Sequence, residues 1–250
     1  MKRNTLRAPI VSFLSLIFLF EALAYFELLN ISLFPPPSQV LSVLWELRKD
    51  FLMAFFETAT SVLIGFAISV FFGLVLATCC SLNTFLRNSI LPFAVFFQTV
   101  PIIAVAPLLV IYFGFGYPTV IAASSIVCIF PIIANTLIGL ENIPKNQDEL
   151  FKIFKASKWQ TLIHLKLPSA YPSIYSGLRI AAGLSVIGAV AGEFVAGGGL
   201  GAMIDSARTQ QRIDVVFAAL VLLSILGLLI IFLVQSLHSS FQKWRPLGLR

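Results

Sequence analysis

Residues 149–172 read ELFKIFKASKWQTLIHLKLPSAYP, a basic segment with scattered aromatic side chains inside a chain that is 58% hydrophobic and 11% charged. The surrounding chain is apolar, with a mean hydropathy of +0.96 and 24 Phe among 250 residues. A soluble core of this size cannot bury that much apolar surface. The composition therefore predicts an all-α integral membrane protein in which residues 149–172 interrupt the embedded part.

Six apolar runs approach the roughly 20 residues that a helix needs to cross a bilayer. They cover residues 9–29, 58–80, 89–113, 119–138, 174–195 and 215–237. The third run contains Pro92, Pro101 and Pro107, and proline removes a backbone donor and clashes with the preceding turn. We therefore expect about six transmembrane helices, the third of them kinked or broken.

Basic residues are unevenly distributed between the two sides that these runs define. With the N-terminus inside, 13 of the 17 Lys and Arg residues fall on the cytoplasmic side. Those that fall outside are Arg48, Lys49, Arg208 and Arg212. The positive-inside rule thus predicts a multi-pass protein of the cell inner (plasma) membrane with both termini cytoplasmic. The net charge of +6 is attributed to cytoplasmic loops, not to a nucleic-acid surface.

The first run has two readings. Its Met-Lys-Arg start and the Ala-Leu-Ala at residues 22–24 are typical of a cleavable signal peptide. The apolar run continues to Leu29, which favours a membrane anchor. Glu21 and Glu27 would be costly in lipid, so we expect them to face a neighbouring helix or to lie near the outer surface.

The region after the first run reads FPPPS at residues 34–38, where three prolines prevent helix continuation and Ser38 is positioned to cap the next helix. Residues 38–56 place apolar side chains at helical spacing on one side, at Val40, Leu44, Leu47 and Phe51. This pattern predicts an interfacial helix along the outer face. We therefore divide the chain into an N-terminal unit, residues 1–56, and a core, residues 57–250.

The connection at residues 139–173 is longer than a helical hairpin needs. Residues 149–154 show helical spacing, and Ser157 with Gln160 forms a capping-box pattern that begins a second helix. The second helix carries on one face Trp159, Leu162, Ile163 and Leu167, and we expect Pro168 to end it. We call residues 149–167 the elbow.

The apolar stripe of the elbow needs a cover, because its own loop offers none. Three covers are open: the cytoplasmic ends of the spans, the lipid interface, or another protein. Lys158 and Lys166 flank the stripe, and basic amphipathic helices commonly rest on anionic headgroups. The pattern by itself does not choose between lipid and protein.

The elbow resembles the EAA loop of ABC-importer permeases. The match consists of an acidic residue, an Ala-Ser pair and a closing Leu-Pro, here Glu149, Ala156-Ser157 and Leu167-Pro168. Residues 98–116, 177–183 and 191–194 extend it and are similar to the nitrate/sulfonate/taurine and thiamine-precursor/riboflavin branch of these permeases. The resemblance covers about residues 34–241.

This resemblance implies a type I ABC-importer permease whose elbow docks on a cytoplasmic ATPase dimer. The residues expected to serve this coupling are Glu149, Lys155, Ala156, Ser157, Trp159, Leu162, Leu167 and Pro168. The chain departs from the family pattern at Leu150 and Phe151, which are large, and at Lys155, which replaces a glycine. If residue 155 is a left-handed helix terminus, Lys costs about 1 kcal/mol relative to Gly.

The fifth run is rich in glycine. Gly188 and Gly192 are spaced for close helix packing, and residues 196–201 predict a flexible or re-entrant turn at the outer end. Glu193 beside this turn is a candidate pathway residue. Its alternative role is that of a hydrogen-bonded structural acid, paired with Arg179 or with the other subunit.

The broken third run supplies further candidate pathway residues. Gln98, Thr99 and Tyr112 offer polar groups to a central cavity. A gate that moves by helix rearrangement is predicted at Pro101, Gly114 and Gly116. No charged residue accompanies them, which disfavours tight anion capture in the membrane. The resemblance likewise assigns specificity to an external substrate-binding protein.

An enzyme is disfavoured, because the chain has no His-Glu-x-x-His motif and no phosphate-binding P-loop. We expect no catalytic residue, metal site or cofactor in this chain, and the resemblance implies ATP and Mg²⁺ on the partner ATPase. Cys79, Cys80 and Cys128 lie in apolar runs, so they are interpreted as small buried hydrophobic residues. A channel or secondary transporter is the rival class, but neither inverted repeats nor paired membrane charges are evident.

These observations predict a homodimeric permease subunit of an ATP-driven importer that works by alternating access. Its expected partners are an ATPase dimer, a second copy of the chain, an external binding protein and the lipid bilayer. The resemblance favours a thiamine pyrimidine precursor or riboflavin as substrate, with nitrate, taurine or alkanesulfonates as alternatives.

Overall fold

The computed structural model describes residues 7–26 and 33–243, which form helices joined by short turns. In chain order these helices are α1 (Arg7–Tyr25), α2 (Pro37–Glu46), α3 (Arg48–Leu82), α4 (Thr84–Thr99), α5 (Ile102–Phe113), α6 (Tyr117–Glu141), α7 (Lys145–Ile153), α8 (Lys158–Thr161), α9 (Leu167–Ala196), α10 (Gly199–Thr209) and α11 (Ile213–Lys243). A π-helical turn, Leu162–Lys166, joins α8 to α9.

Four helical segments are long and apolar enough to cross a membrane: Arg48–Leu82, Tyr117–Glu141, Lys158–Ala196 and Ile213–Ser239. The predicted run 9–29 overlaps α1, in which the stretch Leu14–Tyr25 counts as a shorter apolar helix, and its end, with Glu27, lies outside the described residues. The all-α membrane fold is confirmed. Within the described ranges, however, four of the six predicted runs form full-length spans.

The third predicted run, 89–113, is two helices, as its prolines predict. Helix α4 ends at Thr99, and Val100 is extended, the conformation favoured before a proline. Pro101 then caps α5. Pro92 lies inside α4 without ending it, so the break is confined to one proline.

The core is formed by α3, α6 and α9, which approach closely through small residues. A Cβ added at Gly65 of α3 would lie 2.8 Å from Ser124 Cβ, and one at Gly188 of α9 would lie 2.8 Å from Ser124 Cα. The Ser124 hydroxyl also donates to the Ser185 carbonyl at 3.0 Å. Close packing at Gly188 is therefore confirmed, and it leaves room for side-chain to backbone bonds between helices.

The cysteine prediction holds at two of three positions. Cys80 and Cys128 are buried, whereas Cys79 is exposed. Adjacent helix positions point about 100° apart, so Cys79 cannot share the inward face that Cys80 occupies.

The prediction of one continuous helix over residues 38–56 is wrong, because a turn at Leu47 interrupts it. Helix α2 ends at Glu46, and α3 begins at Arg48 and continues through the membrane-length segment. The apolar side chains were read correctly, since Val40 and Phe51 are buried in the main core. A single amphipathic stripe in the sequence therefore belongs to two successive helices.

The start of α2 also differs from the prediction. Pro36 is the N-cap residue and Pro37 the first helical residue, so Ser38 lies inside the first turn and does not cap it. Instead the Glu21 carboxylate of α1 accepts the N–H of Ser38 at 3.2 Å. Glu21 thus faces a neighbouring helix, as its cost in lipid predicted.

Candidate functional site

Helix α9 joins two turn regions, the elbow at its start and a glycine turn, residues 197–199, at its end. At the elbow, α7 ends in a Schellman motif: the Ala156 N–H donates to the Phe151 carbonyl and the Lys155 N–H to the Lys152 carbonyl, both at 3.0 Å. Lys155 has φ +50°. The predicted left-handed terminus is confirmed, and Lys costs about 1 kcal/mol there relative to Gly.

The second helix of the elbow begins as its sequence predicts. The Gln160 N–H donates to Ser157 Oγ at 3.2 Å, and the Ser157 N–H donates to Gln160 Oε1 at 2.8 Å. This reciprocal pair is a capping box. The turn between α7 and α8 is thus fixed by local hydrogen bonds on both sides of Ala156.

The expected helix end at Pro168 is wrong. Helix α8 continues through the π turn into α9, where Pro168 is the second residue. A proline ring clashes with the carbonyl four residues earlier in a regular α-helix, and the wider π turn directly precedes Pro168. The elbow is therefore continuous with a membrane-length helix, and a displacement of α8 is carried into α9 by the backbone.

The apolar stripe that the sequence placed on one face is divided between covered and uncovered side chains. Leu162 is 1% exposed and packs with Leu140 and Ala170, so the chain itself covers it. Trp159 is 61% exposed. Trp159 and Leu162 are about 60° apart around an α-helix, so the boundary between covered and uncovered side chains falls between them.

Five large apolar side chains of the elbow stay uncovered by the described part of the chain. We call them the elbow patch: Leu150, Ile153, Phe154, Trp159 and Ile163, with exposures from 40% to 75%.

Charged groups surround the elbow patch. Glu149, Lys155 and Lys158 are exposed. Lys152 pairs with Asp148 at 2.6 Å, and this hydrogen-bonded carboxylate raises the pKa of Lys152. Of the remaining predicted coupling residues, Ser157 is exposed, whereas Ala156, Leu167 and Pro168 are half-buried.

The other end of α9 is packed and polar. Glu193 is 2% exposed, and its Oε2 accepts the N–H of Gly201 at 2.7 Å. This contact agrees with a hydrogen-bonded structural acid. Pairing with Arg179 of the same chain is wrong, because both residues lie on α9, about 21 Å apart along the axis.

Two residues of α3 complete this arrangement. Glu57 Oε2 accepts the N–H of Gly199 at 2.8 Å, and Thr58 Oγ1 accepts the N–H of Leu200 at 2.9 Å. We call Glu57, Thr58 and Glu193 the carboxylate clamp. Glu57 and Thr58 were not singled out in the sequence. The sequence did contain a signal for these residues. An acid and a hydroxyl residue stand at the edge of an apolar run, and a helix begins at the third of three consecutive glycines.

The predicted gate residues lie in different places. Gly114 and Gly116 form the turn between α5 and α6, with φ +81° and +82°. The Gly116 N–H donates to the Ala196 carbonyl at 3.0 Å, and Gly116 lines a small cavity of about 80 Å³ with Glu57 and Glu193. The structure therefore brings Gly116 and Glu193 together at the clamp.

The other predicted pathway residues do not join them. Gln98, Thr99 and Tyr112 are exposed. Pro101 lines an open groove of about 660 Å³ between α5, α9 and α11, whose wall carries no charged side chain. Its larger members include Ile103, Ile187, Val190, Phe194 and Leu220.

Residues 69–243 match the family model of the binding-protein-dependent transport system inner membrane component. The chain belongs to this family of transport permeases. A probable ABC transporter permease protein of Haemophilus influenzae is 34% identical over 210 residues, which cover 84% of this chain and 86% of that protein. The chain is thus a permease component of an ABC importer, a transport subunit and not an enzyme.

Relatives and a solved structure extend this assignment. The formylaminopyrimidine transport permease protein ThiX of Halalkalibacterium halodurans is 34% identical over 215 residues, covering 85% of this chain and 86% of that protein. The riboflavin transport system permease protein RibX of Chloroflexus aurantiacus is 34% identical over 160 residues, covering 64% and 60%. An inward-facing structure of the MetNI methionine ABC transporter aligns with a TM-score of 0.61 at 22% identity, covering 72% of this chain and 92% of that chain. The predicted type I importer fold is confirmed.

Proposed function

We propose that two copies of this permease form the membrane pathway of an importer that is driven by a dimer of cytoplasmic ATPases. The pathway takes a small molecule from an external binding protein and passes it inward by alternating access. ATP and Mg²⁺ bind to the ATPases. The observation that carries this proposal is the elbow patch, which is apolar, uncovered and directly continuous with α9.

The elbow patch suits a protein groove better than a lipid surface. Its aromatic members, Phe154 and Trp159, are 75% and 61% exposed and flank the turn at residues 155–157 from both sides. That turn is fixed by the Schellman motif and the capping box, so docking would cost little ordering entropy. A preformed, convex aromatic surface is the kind of anchor that dominates binding energy at protein interfaces.

A pair of tryptophan variants tests the docking. Trp159 lies in the elbow patch, and Trp45 is a matched control that is 73% exposed near the opposite end of the bundle. We expect Trp159→Ala to weaken co-purification with the cognate ATPase by roughly 30-fold, an effect of about 2 kcal/mol. Trp45→Ala should leave it unchanged. Equal effects of the two variants, or ATPase binding that survives loss of the whole patch, would favour a channel or an ATPase-independent carrier.

For the substrate we propose a small neutral heteroaromatic molecule of the thiamine-precursor or riboflavin type. Support comes from the ThiX and RibX relatives and from the uncharged groove beside Pro101. Proteoliposomes that contain the full transporter and its binding protein should accumulate formylaminopyrimidine or riboflavin in an ATP-dependent manner. Uptake of nitrate or taurine instead would assign the chain to the anion branch.

For the orientation we propose that the elbow is cytoplasmic and the glycine turn external, in the inner membrane with both termini inside. Six described basic residues lie at the elbow end of the bundle: Arg87, Lys145, Lys152, Lys155, Lys158 and Lys166. After replacement of the native cysteines by serine, Lys155→Cys and Gln211→Cys report the two ends. An impermeant maleimide should label only Gln211→Cys in intact spheroplasts, and labelling of Lys155→Cys alone would invert the topology.

A further inference from the structure

The carboxylate clamp holds one helix start with side chains from two other helices. Glu57 and Thr58 stand on α3 and Glu193 on α9, and together they accept the first three N–H groups of α10, at residues 199–201. Helix starts are usually satisfied by their own N-cap side chain or by water. Here the N-cap residue is Gly198, which has no side chain. The clamp therefore joins α3, α9 and α10 at a single point.

The clamp has little room to rearrange. A Cβ added at Gly201 would lie 2.7 Å from Glu193 Cβ, and one at Gly199 would overlap the Glu193 carboxylate. The space that ordinary side chains would fill is occupied by the acceptors themselves. Both carboxylates also lie at the positive end of α10, where a negative charge is favourable. Packing this tight admits one arrangement of the three helices.

The neighbouring turn between α5 and α6 has open space beside its glycines, and the buried Thr119 hydroxyl holds it by donating to the Gly114 carbonyl. A Cβ added at Gly114 or Gly116 would meet no atom within 4 Å, in contrast to Gly199. The turn reaches the end of α9 through the backbone bond from Gly116 to Ala196. The closely packed start of α10 and the more open α5–α6 turn thus meet at the small cavity that Glu57 and Gly116 line.

We propose that Glu57, Thr58 and Glu193 are positioning residues for transport, which fix α3 at residues 57–58, the end of α9 and the start of α10 as one rigid body against which the α5–α6 turn moves. The hydrogen bonds of the clamp do not depend on the proposed function, whereas their consequence for transport rests on it. A force applied at the elbow reaches the far end through α9. It does work there only if α9 does not slip against α3 and α10, and the clamp prevents that slip.

The unmodified protein provides the first test. Amide hydrogen exchange is measured on the permease–ATPase complex in nanodiscs, without nucleotide and with a non-hydrolysable ATP analogue. Peptides that contain residues 199–201 should exchange equally slowly in both states. Peptides that contain residues 114–117 should change their exchange between the states. A nucleotide-dependent change at 199–201 as large as that at 114–117 overturns the proposal.

The second test removes one arm of the clamp. Glu57 is only half-buried, so Glu57→Ala is the variant that leaves the core intact. We expect it to speed exchange at residues 199–201 roughly tenfold, the effect of losing a hydrogen bond to a charged acceptor. It should lower uptake per ATP hydrolysed by roughly the same factor, with an unchanged half-saturating concentration of binding protein.

Two further variants separate positioning from charge. Glu57→Gln keeps an acceptor oxygen and should restore exchange and uptake to within about twofold of the unmodified protein. Glu46→Ala removes an exposed acid near the same end and should change neither. Unchanged exchange and uptake in Glu57→Ala, or no rescue by Glu57→Gln, overturns the proposal. If the unmodified permease neither binds ATPase nor transports, the proposed function fails. The effect of Glu57→Ala on exchange at residues 199–201 in the permease alone still tests whether the clamp fixes these helices.

Discussion

The two ends of α9 are built in opposite ways. At the glycine turn, every strong contact is made within the chain: a buried acid, a second acid and a hydroxyl satisfy the start of α10. At the elbow, local hydrogen bonds fix the backbone, but large apolar side chains such as Phe154 and Trp159 remain uncovered. One end is thus completed by the fold itself, and the other is the end at which we propose that a partner docks.

The largest expected effect is on the free energy of unfolding, and it distinguishes covered from uncovered residues inside the elbow. Leu162→Ala should lower the free energy of unfolding by about 3 kcal/mol, because it leaves a cavity beside Leu140 and Ala170. The neighbouring Ile163→Ala, on the exposed side, should change it by less than about 0.5 kcal/mol. Thermal unfolding of the purified permease in detergent measures both. Similar losses would mean that the elbow patch is not an open surface.

The next effect tests the glycine turn in the same way. Gly199→Ala should lower the free energy of unfolding by about 3 kcal/mol, since the new methyl overlaps Glu193 and the residue has φ +64°. Gly197→Ala is the comparison without a clash: its Cβ position is open, but φ +79° and ψ 175° are essentially restricted to glycine, so it should lower the free energy of unfolding by about 2 kcal/mol through backbone strain alone. Equal costs would show that backbone strain alone, and not the clamp, selects glycine here.

A third prediction separates stability from docking. Phe154→Ser removes an exposed aromatic side chain of the elbow patch, so the isolated permease should keep its unfolding temperature. ATPase stimulation should fall at least tenfold, because such anchors contribute over 1.4 kcal/mol at interfaces. Loss of both properties, or of neither, would remove the contrast between the two ends.

The smallest effect concerns a motif that both regions share. Lys155 and Gln211 each follow a helix in a left-handed conformation, with φ +50° and +57°. Lys155→Gly and Gln211→Gly should each stabilise the purified permease by about 1 kcal/mol. A gain at Gln211 without one at Lys155 would show that the lysine side chain contributes a stabilising contact of its own.

Local features could be read from the sequence because short-range chemistry determines them. The capping box at Ser157, the left-handed Lys155 and the proline break before α5 each depend on residues within one or two turns. The division of the apolar stripe could not be read, because Leu162 is covered by tertiary packing against Leu140 and Ala170.

The clamp could not be predicted for a different reason. Glu57 and Gly199 are 142 residues apart in the chain, and only the packing of α3 on α9 and α10 brings them together. The break at Leu47 was also missed, since no glycine or proline marks it in the sequence. The three glycines predicted an unusual backbone conformation at residues 197–199. They did not predict which acidic side chains would accept hydrogen bonds there.

Site-specific photo-cross-linking tests the central claim most directly. Benzoylphenylalanine at position 159, in the elbow patch, should cross-link to the cognate ATPase in native membranes. The same probe at position 45, where Trp45 is even more exposed, should not. Cross-linking to ATPase from position 45 and not from position 159, or to lipid alone from position 159, would contradict the account.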